Sequence, residues 1–366
     1  MEPPLVMIRS CLLSCALLVT SGGAFALAGT DSGAPGIAPG APEPAAKSAP
    51  HYSVTQRFGL SGDTGWDYLT FDAIAMRLFI ARSDRVQVVD PQSGRELGEI
   101  RGQHGVHGIA LASDLGLGFA SNGLANSVTA FELGSLKTRA EIKVTGVNPD
   151  AILYVPQTRR VYTFNGRSND ITVIDAISLE VVDTIMLEGK PEFAASDGRS
   201  IFVNIEDRAL LSVINLQNDQ VTKSVSLAPC EEPSGLALDA PHQRLFSVCS
   251  NGKMMVIDAA AARIVAEVPI GRDPDAVAYD AGTGLVFSSS GHGTLSVVHS
   301  DDAEHYVVVQ TVTTRKSART LALNPLSHSV YLVGADLESA PKPAATPTHS
   351  GSRVIPGTFG LLVVAP

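Results

Sequence analysis

The chain has 366 residues, 45% of them apolar, and a formal net charge of −10. That acidity, with no run of Lys and Arg longer than a pair and only 5% aromatic residues, excludes a protein whose main task is to neutralise phosphates or stack bases, which requires a basic face. The length allows about two average domains, or one repeat fold.

Residues 1–28 read as a secretory signal peptide. Arg9 supplies the positive start, Cys11 to Val19 the apolar run, and Ala26-Leu27-Ala28 a small-x-small cleavage site. Leu12-Leu13-Ser14-Cys15 offers a rival lipoprotein box, but it follows Arg9 too closely to leave a proper apolar core. The run is also shorter than the ~20 residues of a membrane span. A periplasmic or secreted protein is expected, with no transmembrane segment in the mature chain. Residues 29–50 are largely Gly, Ala, Pro and Ser; they cannot bury enough apolar surface to offset their ordering entropy and predict a disordered linker.

From residue 51 onward one pattern recurs, clearest between Gly146 and Glu188. A Pro-Asp pair opens a short apolar strand (Ala151 to Val155), followed by a second strand (Val161 to Phe164), a polar loop, a third strand (Ile171 to Ile174) and a fourth (Val181 to Met186). The residue opening each first strand is Asp67, His107, Asp150, Glu192, Ser234, Asp275 and Arg319, at spacings of 40, 43, 42, 42, 41 and 44. Self-similarity at that period signals a propeller. The expectation is an all-β, seven-bladed β-propeller over residues 51–366. The last unit lacks a fourth strand in line, and Tyr52 to Phe58 is its natural donor, so the N-terminal strand is expected to close the last blade and the ring. Residues 338–353 form a Pro-rich loop insertion in that blade.

Val161-Tyr162-Thr163-Phe164-Asn165, followed by Ser168-Asn169-Asp170-Ile171-Thr172-Val173-Ile174-Asp175, resembles the repeat of the YVTN (YncE-like) β-propeller family, as does Val354-Ile355-Pro356-Gly357-Thr358-Phe359 leading into the final strand. The resemblance covers roughly residues 51–366, is strongest in units three and five, and is weakest in unit two. It implies an exported seven-bladed propeller and carries no catalytic motif. Lactonase-type propellers and the propeller of nitrous oxide reductase share the architecture, and architecture does not fix function.

In a propeller the first strands line the central channel, so the seven opening residues form a ring at one mouth. Its four carboxylates need compensation by a cation, by Arg319 or by protons. Three uses stay open. A divalent metal is one, with Asp67, His107, Asp150, Glu192 and Asp275 as mixed oxygen and imidazole ligands. A pocket for a small polar ligand or a protein partner is another, with the capping of turns as the third. Asn122, Asn165 and Asn204, with Arg82, Cys249 and Ser290, end second strands and are expected on the same face, joined by His104 and His292. Cys230 and Cys249 lie near one end of one blade, as a disulfide or as two buried thiols. No nucleophile elbow, phosphate loop, CxxC or haem-attachment motif is present. The expected function is a non-enzymatic binding module acting through the channel mouth, with a metal-dependent lactonase-type hydrolase as the alternative.

Overall fold

The computed structural model describes residues 50–300, 302, 304–339 and 352–366. The signal peptide, nearly all of the linker and most of the 338–353 insertion lie outside the described residues.

Strand β1 (Ser53–Gly59) precedes the first unit. β2 (Leu69–Asp72), β3 (Arg77–Val89), β4 (Glu96–Ala112), β5 (Leu117–Asn122), β6 (Ser127–Glu132) and β7 (Thr138–Lys143) make one six-stranded sheet. Four-stranded antiparallel sheets follow. The first comprises β8 (Pro149–Val155), β9 (Arg160–Asn165), β10 (Asp170–Asp175) and β11 (Glu180–Met186). The second comprises β12 (Pro191–Ser196), β13 (Ser200–Ile205), β14 (Leu210–Asn215) and β15 (Gln220–Ser226). The third comprises β16 (Pro233–Asp239), β17 (Arg244–Cys249), β18 (Lys253–Asp258) and β19 (Arg263–Pro269). The fourth comprises β20 (Pro274–Asp280), β21 (Leu285–Ser290), β22 (Thr294–Ser300) and β23 (Tyr306–Thr313). The last unit contains β24 (Leu321–Asn324), β25 (Ser329–Gly334), the short hairpin β26 (Leu337–Ser339) with β27 (Ser352–Val354), and β28 (Gly360–Ala365). Its sheet runs in the order β1-β28-β25-β24, with Phe58 opposite Leu361, so the N-terminal strand closes it. The Tyr52 backbone and the Gln310 side chain fasten this strand to the preceding unit by two hydrogen bonds, Tyr52 N–H to Gln310 Oε1 at 2.9 Å and Gln310 Nε2 to the Tyr52 carbonyl at 2.6 Å.

The fold is an all-β propeller, and strand alternation builds its core. Successive side chains on a strand face opposite sides. On β3, Leu78 and Ile80 therefore pack against the last unit through Tyr331, Val333 and Phe359, while Phe79 and Ala81 pack against Ile109, Ala120 and Phe131. On β9, Tyr162 and Phe164 meet Ile201 and Val203, and Val161 meets Phe119 and Ala112. The same sorting yields a hydrophobic cluster between each pair of neighbouring units.

Six large sheets are found among the described residues where the repeat predicted seven, because units one and two share a sheet. The later units begin with Pro149, Pro191, Pro233 and Pro274, which cannot donate to a ladder and so start a fresh strand. Unit two has Val106 at that position. Val106 pairs with both Ser83 and Asn122, so β4 runs on from the outer strand of unit one into the inner strand of unit two.

Cys230 and Cys249 are joined in a disulfide with Cα atoms 5.4 Å apart, both buried between Leu236 and Met255. The loop it closes spans a sequence separation of 19, for which chain entropy gives ~3 kcal/mol. Replacing both cysteines by serine is expected to lower unfolding free energy by about that amount, read from the denaturant midpoint at constant slope. An unchanged midpoint in the double variant contradicts this.

A candidate binding site at the channel mouth

The ring residues are aimed by one repeated backbone device. In β8, Pro149 pairs with Asn165 but Ile152 with Thr163, which inserts one extra residue around Asp150. The same shift occurs at Val106/Ile109, Pro191/Ala194, Pro233/Leu236 and Pro274/Val277. Bulges of this kind re-aim a side chain. Two residues before the ring position the chain turns through positive φ at Asn148, Glu232, Asp273 and Ser317. Hydroxyl and amide groups then lock the backbone of four ring residues to a neighbouring unit. Thr320 Oγ1 donates to the Asp67 carbonyl at 2.9 Å, Ser121 to the Asp150 carbonyl, Ser289 to the Arg319 carbonyl and Asn204 Nδ2 to the Ser234 carbonyl at 2.7 Å.

Six of the seven ring side chains fall in two ion-paired clusters that together make up one charged patch. His107 Nδ1 lies 2.6 Å from Asp67 and 3.6 Å from Asp150. Arg319 reaches Asp275 at 3.0 Å and Asp67 at 3.7 Å. Glu192 lies 3.3 Å from Lys190, which also pairs with Glu206. Ser234 stands apart: its hydroxyl donates to the Pro274 carbonyl at 2.8 Å. Tyr68, next to Asp67, packs its ring 5.0 Å from Phe193 beside the network.

The network carries more acid than base. Asp67, Asp150, Glu192, Asp275 and Glu206 face His107, Lys190 and Arg319. Burial pushes Asp150 up to about 6, with His107 pulling it partly back, and pushes Asp275 up to about 6 against Arg319. Burial, with Asp150 adding, holds Glu192 well above the usual carboxylate range. Burial disfavours a charged His107, but the hydrogen bond it donates to Asp67 and the charge of Asp150 outweigh it and push it up to about 9. Tyr68 is held well above its ordinary value by burial and by four of the carboxylates.

Lys190 and Glu206 were not among the expected site residues. Glu206 occupies a position where glycine is common: the bond from its N–H to the Lys190 carbonyl is the bond Gly123, Gly166 and Gly291 make to Gly105, Asn148 and Asp273. That departure from the repeat was the available signal.

The second expected set does not join the mouth. Asn122, Asn165 and Asn204 are buried, and their amides bond within and between blades. Asn122 donates to Thr129, Asn165 to Asp170 and Thr172, and Asn204 to Ser234 and Gly235. Buried amides must find such partners, and here they leave none of these side chains free for a ligand. Arg82 is fully buried, Cys249 is in the disulfide, Ser290 donates to the Arg272 carbonyl, and His292 pairs with Asp273 at an exposed position. The His104 backbone N–H donates to Asn122 Oδ1 at 3.4 Å.

The insertion hairpin does stand beside the mouth. Leu337 and Val354 line a small cavity with Gly65, Trp66, Ser317 and Arg319, into which the half-exposed Arg319 guanidinium extends the network.

Could the ring hold a metal? Asp67, His107 and Asp150 each offer a ligand atom, all within 4.8 Å of one another, which suits a divalent cation. A metal needs a deprotonated imidazole, whereas His107 is held charged by its carboxylates. The trio is thus already neutralised in large part by protein cations.

No family model matches the sequence, and no curated protein matches it. The fold itself is widespread: 1823 chains of solved structures match, so its shape does not single out an activity. Among them, a chain of Kuenenia stuttgartiensis hydrazine synthase is 18% identical, covers 75% of this chain and 93% of its own, and superposes with a TM-score of 0.66. At that identity the likeness shows the fold alone: this chain is a β-propeller of repeating blades.

Proposed function

We propose that this protein is a non-catalytic binding module whose channel mouth holds the cationic part of a small polar ligand or of a partner's loop. The observation that carries the reading is the charge balance of the mouth, where five carboxylates face three cationic side chains in two ion-paired clusters that act on one another electrostatically. An ammonium or guanidinium group placed there would take up the uncompensated charge through charge-assisted hydrogen bonds, in a partly water-excluded setting. The reading includes seven blades, with the six-stranded sheet counted as two; seven opening residues and the clusters between neighbouring units support that count. It also takes the chain as an exported relative of the YVTN (YncE-like) propellers, periplasmic or secreted. The signal-like first 28 residues and the disulfide suit an oxidising compartment.

Calorimetric titration with agmatine, a small guanidinium probe, tests this at neutral pH and low salt. Binding is expected, and Asp150→Asn and Asp275→Asn should each weaken it about tenfold, the cost of one charged hydrogen bond. No binding, or an affinity unchanged from the parent protein in both variants, overturns the reading.

The closeness of Asp67, His107 and Asp150 favours one second reading, a metal-dependent hydrolase of the lactonase type. Those three residues, with Glu192 and Asp275 nearby, would hold the ion, which would supply Lewis acidity. Elemental analysis of protein purified without a polyhistidine tag decides. A near-stoichiometric metal lost in Asp150→Asn favours the hydrolase, and its absence leaves the binding module.

A further inference from the structure

A second cavity lies at the opposite end of the blades. It opens between units five and six, where β16, whose first residues face the channel mouth, ends at Asp239 and the antiparallel β17 begins at Arg244. Its volume is about 410 Å3, within the ~300–1,000 Å3 of small-molecule sites.

The walls are aromatic. Phe246 stacks on Tyr279 with ring centroids 5.7 Å apart and planes at 23°, and Tyr306 stands edge-on to Phe246 at 5.8 Å. Packed on one another, they present an aromatic wall against which a flat ring gains from offset or edge contacts beyond its area burial. The polar groups nearest the walls are mostly committed. Asp239 accepts from His242 Nδ1 at 2.8 Å and from the Tyr279 hydroxyl, and Arg244 is paired with Asp258 at 3.1 Å. His299 differs: it lines the cavity, and its buried Nδ1 has no hydrogen-bond partner. A buried polar atom left so costs ~1–3 kcal/mol, which a ligand group could recover. With its proton on Nε2, His299 presents Nδ1 as an acceptor that a ligand hydroxyl can serve by donating.

We propose that this cavity is a binding site for a small planar aromatic ligand carrying a hydroxyl group, with the ring packed against the wall of Phe246, Tyr279 and Tyr306 and the hydroxyl donating to His299 Nδ1. It is independent of the channel mouth.

The test uses the full mature chain, p-cresol, and 4-methylanisole, which keeps the ring but cannot donate. Saturation-transfer NMR titrations should show p-cresol binding about tenfold tighter than 4-methylanisole. His299→Phe should erase that preference while leaving 4-methylanisole binding intact. Ser300→Trp, which fills the rim from a partly exposed position, should abolish binding of both. Thermal melting confirms that each variant is folded. Absence of p-cresol binding, its persistence in folded Ser300→Trp, or an unchanged preference in folded His299→Phe each overturns the proposal.

Discussion

Replacing Arg82 by methionine is expected to destabilise the propeller by about 3 kcal/mol, among the largest single effects available in this fold. Arg82 is fully buried in β3, next to Ser83, where the chain passes through positive φ. Its guanidinium donates to the carbonyls of Ser61, Gly62, Thr64 and Gly65, and to Gln87 Oε1 at 2.7 Å. Gln87 passes the connection on to Glu96 at 2.8 Å, and the guanidinium plane lies 3.6 Å from the centre of the Phe359 ring. Burial lowers Arg82 to about 10, a value at which it stays charged near neutrality. One side chain thus ties the segment between β1 and β2 to the closing blade. Methionine keeps the apolar stem but strands Gln87 and several carbonyls, and a buried polar group that loses its partner costs ~1–3 kcal/mol. The partial exposure of Ser61 to Thr64 lets water recover some of this, which sets the figure below the sum. Arg85→Met, which removes ion pairs to Asp84 and Glu99 and two long hydrogen bonds of 3.4 Å to Thr64 Oγ1 and the Ser61 carbonyl, should cost under ~1 kcal/mol. Equal midpoints for the two variants in denaturant titration would show that Arg82 does not organise the closure.

The second large effect is a loss of stability as pH rises, by about 3 kcal/mol in all between pH 4 and 10. Asp150 and Asp275 have folded values of about 6, above the ordinary carboxylate value, so the folded state favours their protonated forms. Their contribution is full below pH ~4 and is lost as pH rises through 6. His107 is raised to about 9, so its contribution is full below ~6.5 and is lost as pH rises through 9. Both losses have the same sign, and a shift of one unit corresponds to ~1.4 kcal/mol. The groups share one network and their shifts do not add, which holds the total near that of a single group. Denaturant midpoints at pH 4, 7 and 10 read the effect. His107→Gln should remove the loss between pH 7 and 10 and leave most of the loss between pH 4 and 7. A flat profile in the parent protein would mean that the ring is solvated too well to shift.

Much of this architecture is legible along the chain, because its causes are local. Alternation of apolar side chains marks strands, turn residues separate them, and the recurrence of Pro-Asp-like openings every 40 to 44 residues marks the units. The N-terminal strand could be assigned to the last blade since that blade alone was short of one. The joining of units one and two was legible in principle, as the missing proline at Val106, but its consequence depends on which residues Val106 can pair with, and that is a matter of distant partners. The ring positions likewise follow from the repeat, whereas the state of the ring does not. That Lys190 and Glu206 enter the network, that Arg319 spans Asp67 and Asp275, and that Asn122, Asn165 and Asn204 are used up inside the blades are decided by distances of a few ångströms between residues that are, for the most part, far apart in the chain. The aromatic cavity between units five and six is of the same kind. Periodicity sets which way a side chain points from its own strand, and only the packing of one blade on the next decides what it meets there, how dry that place is, and so which charges and polar atoms are left for a ligand.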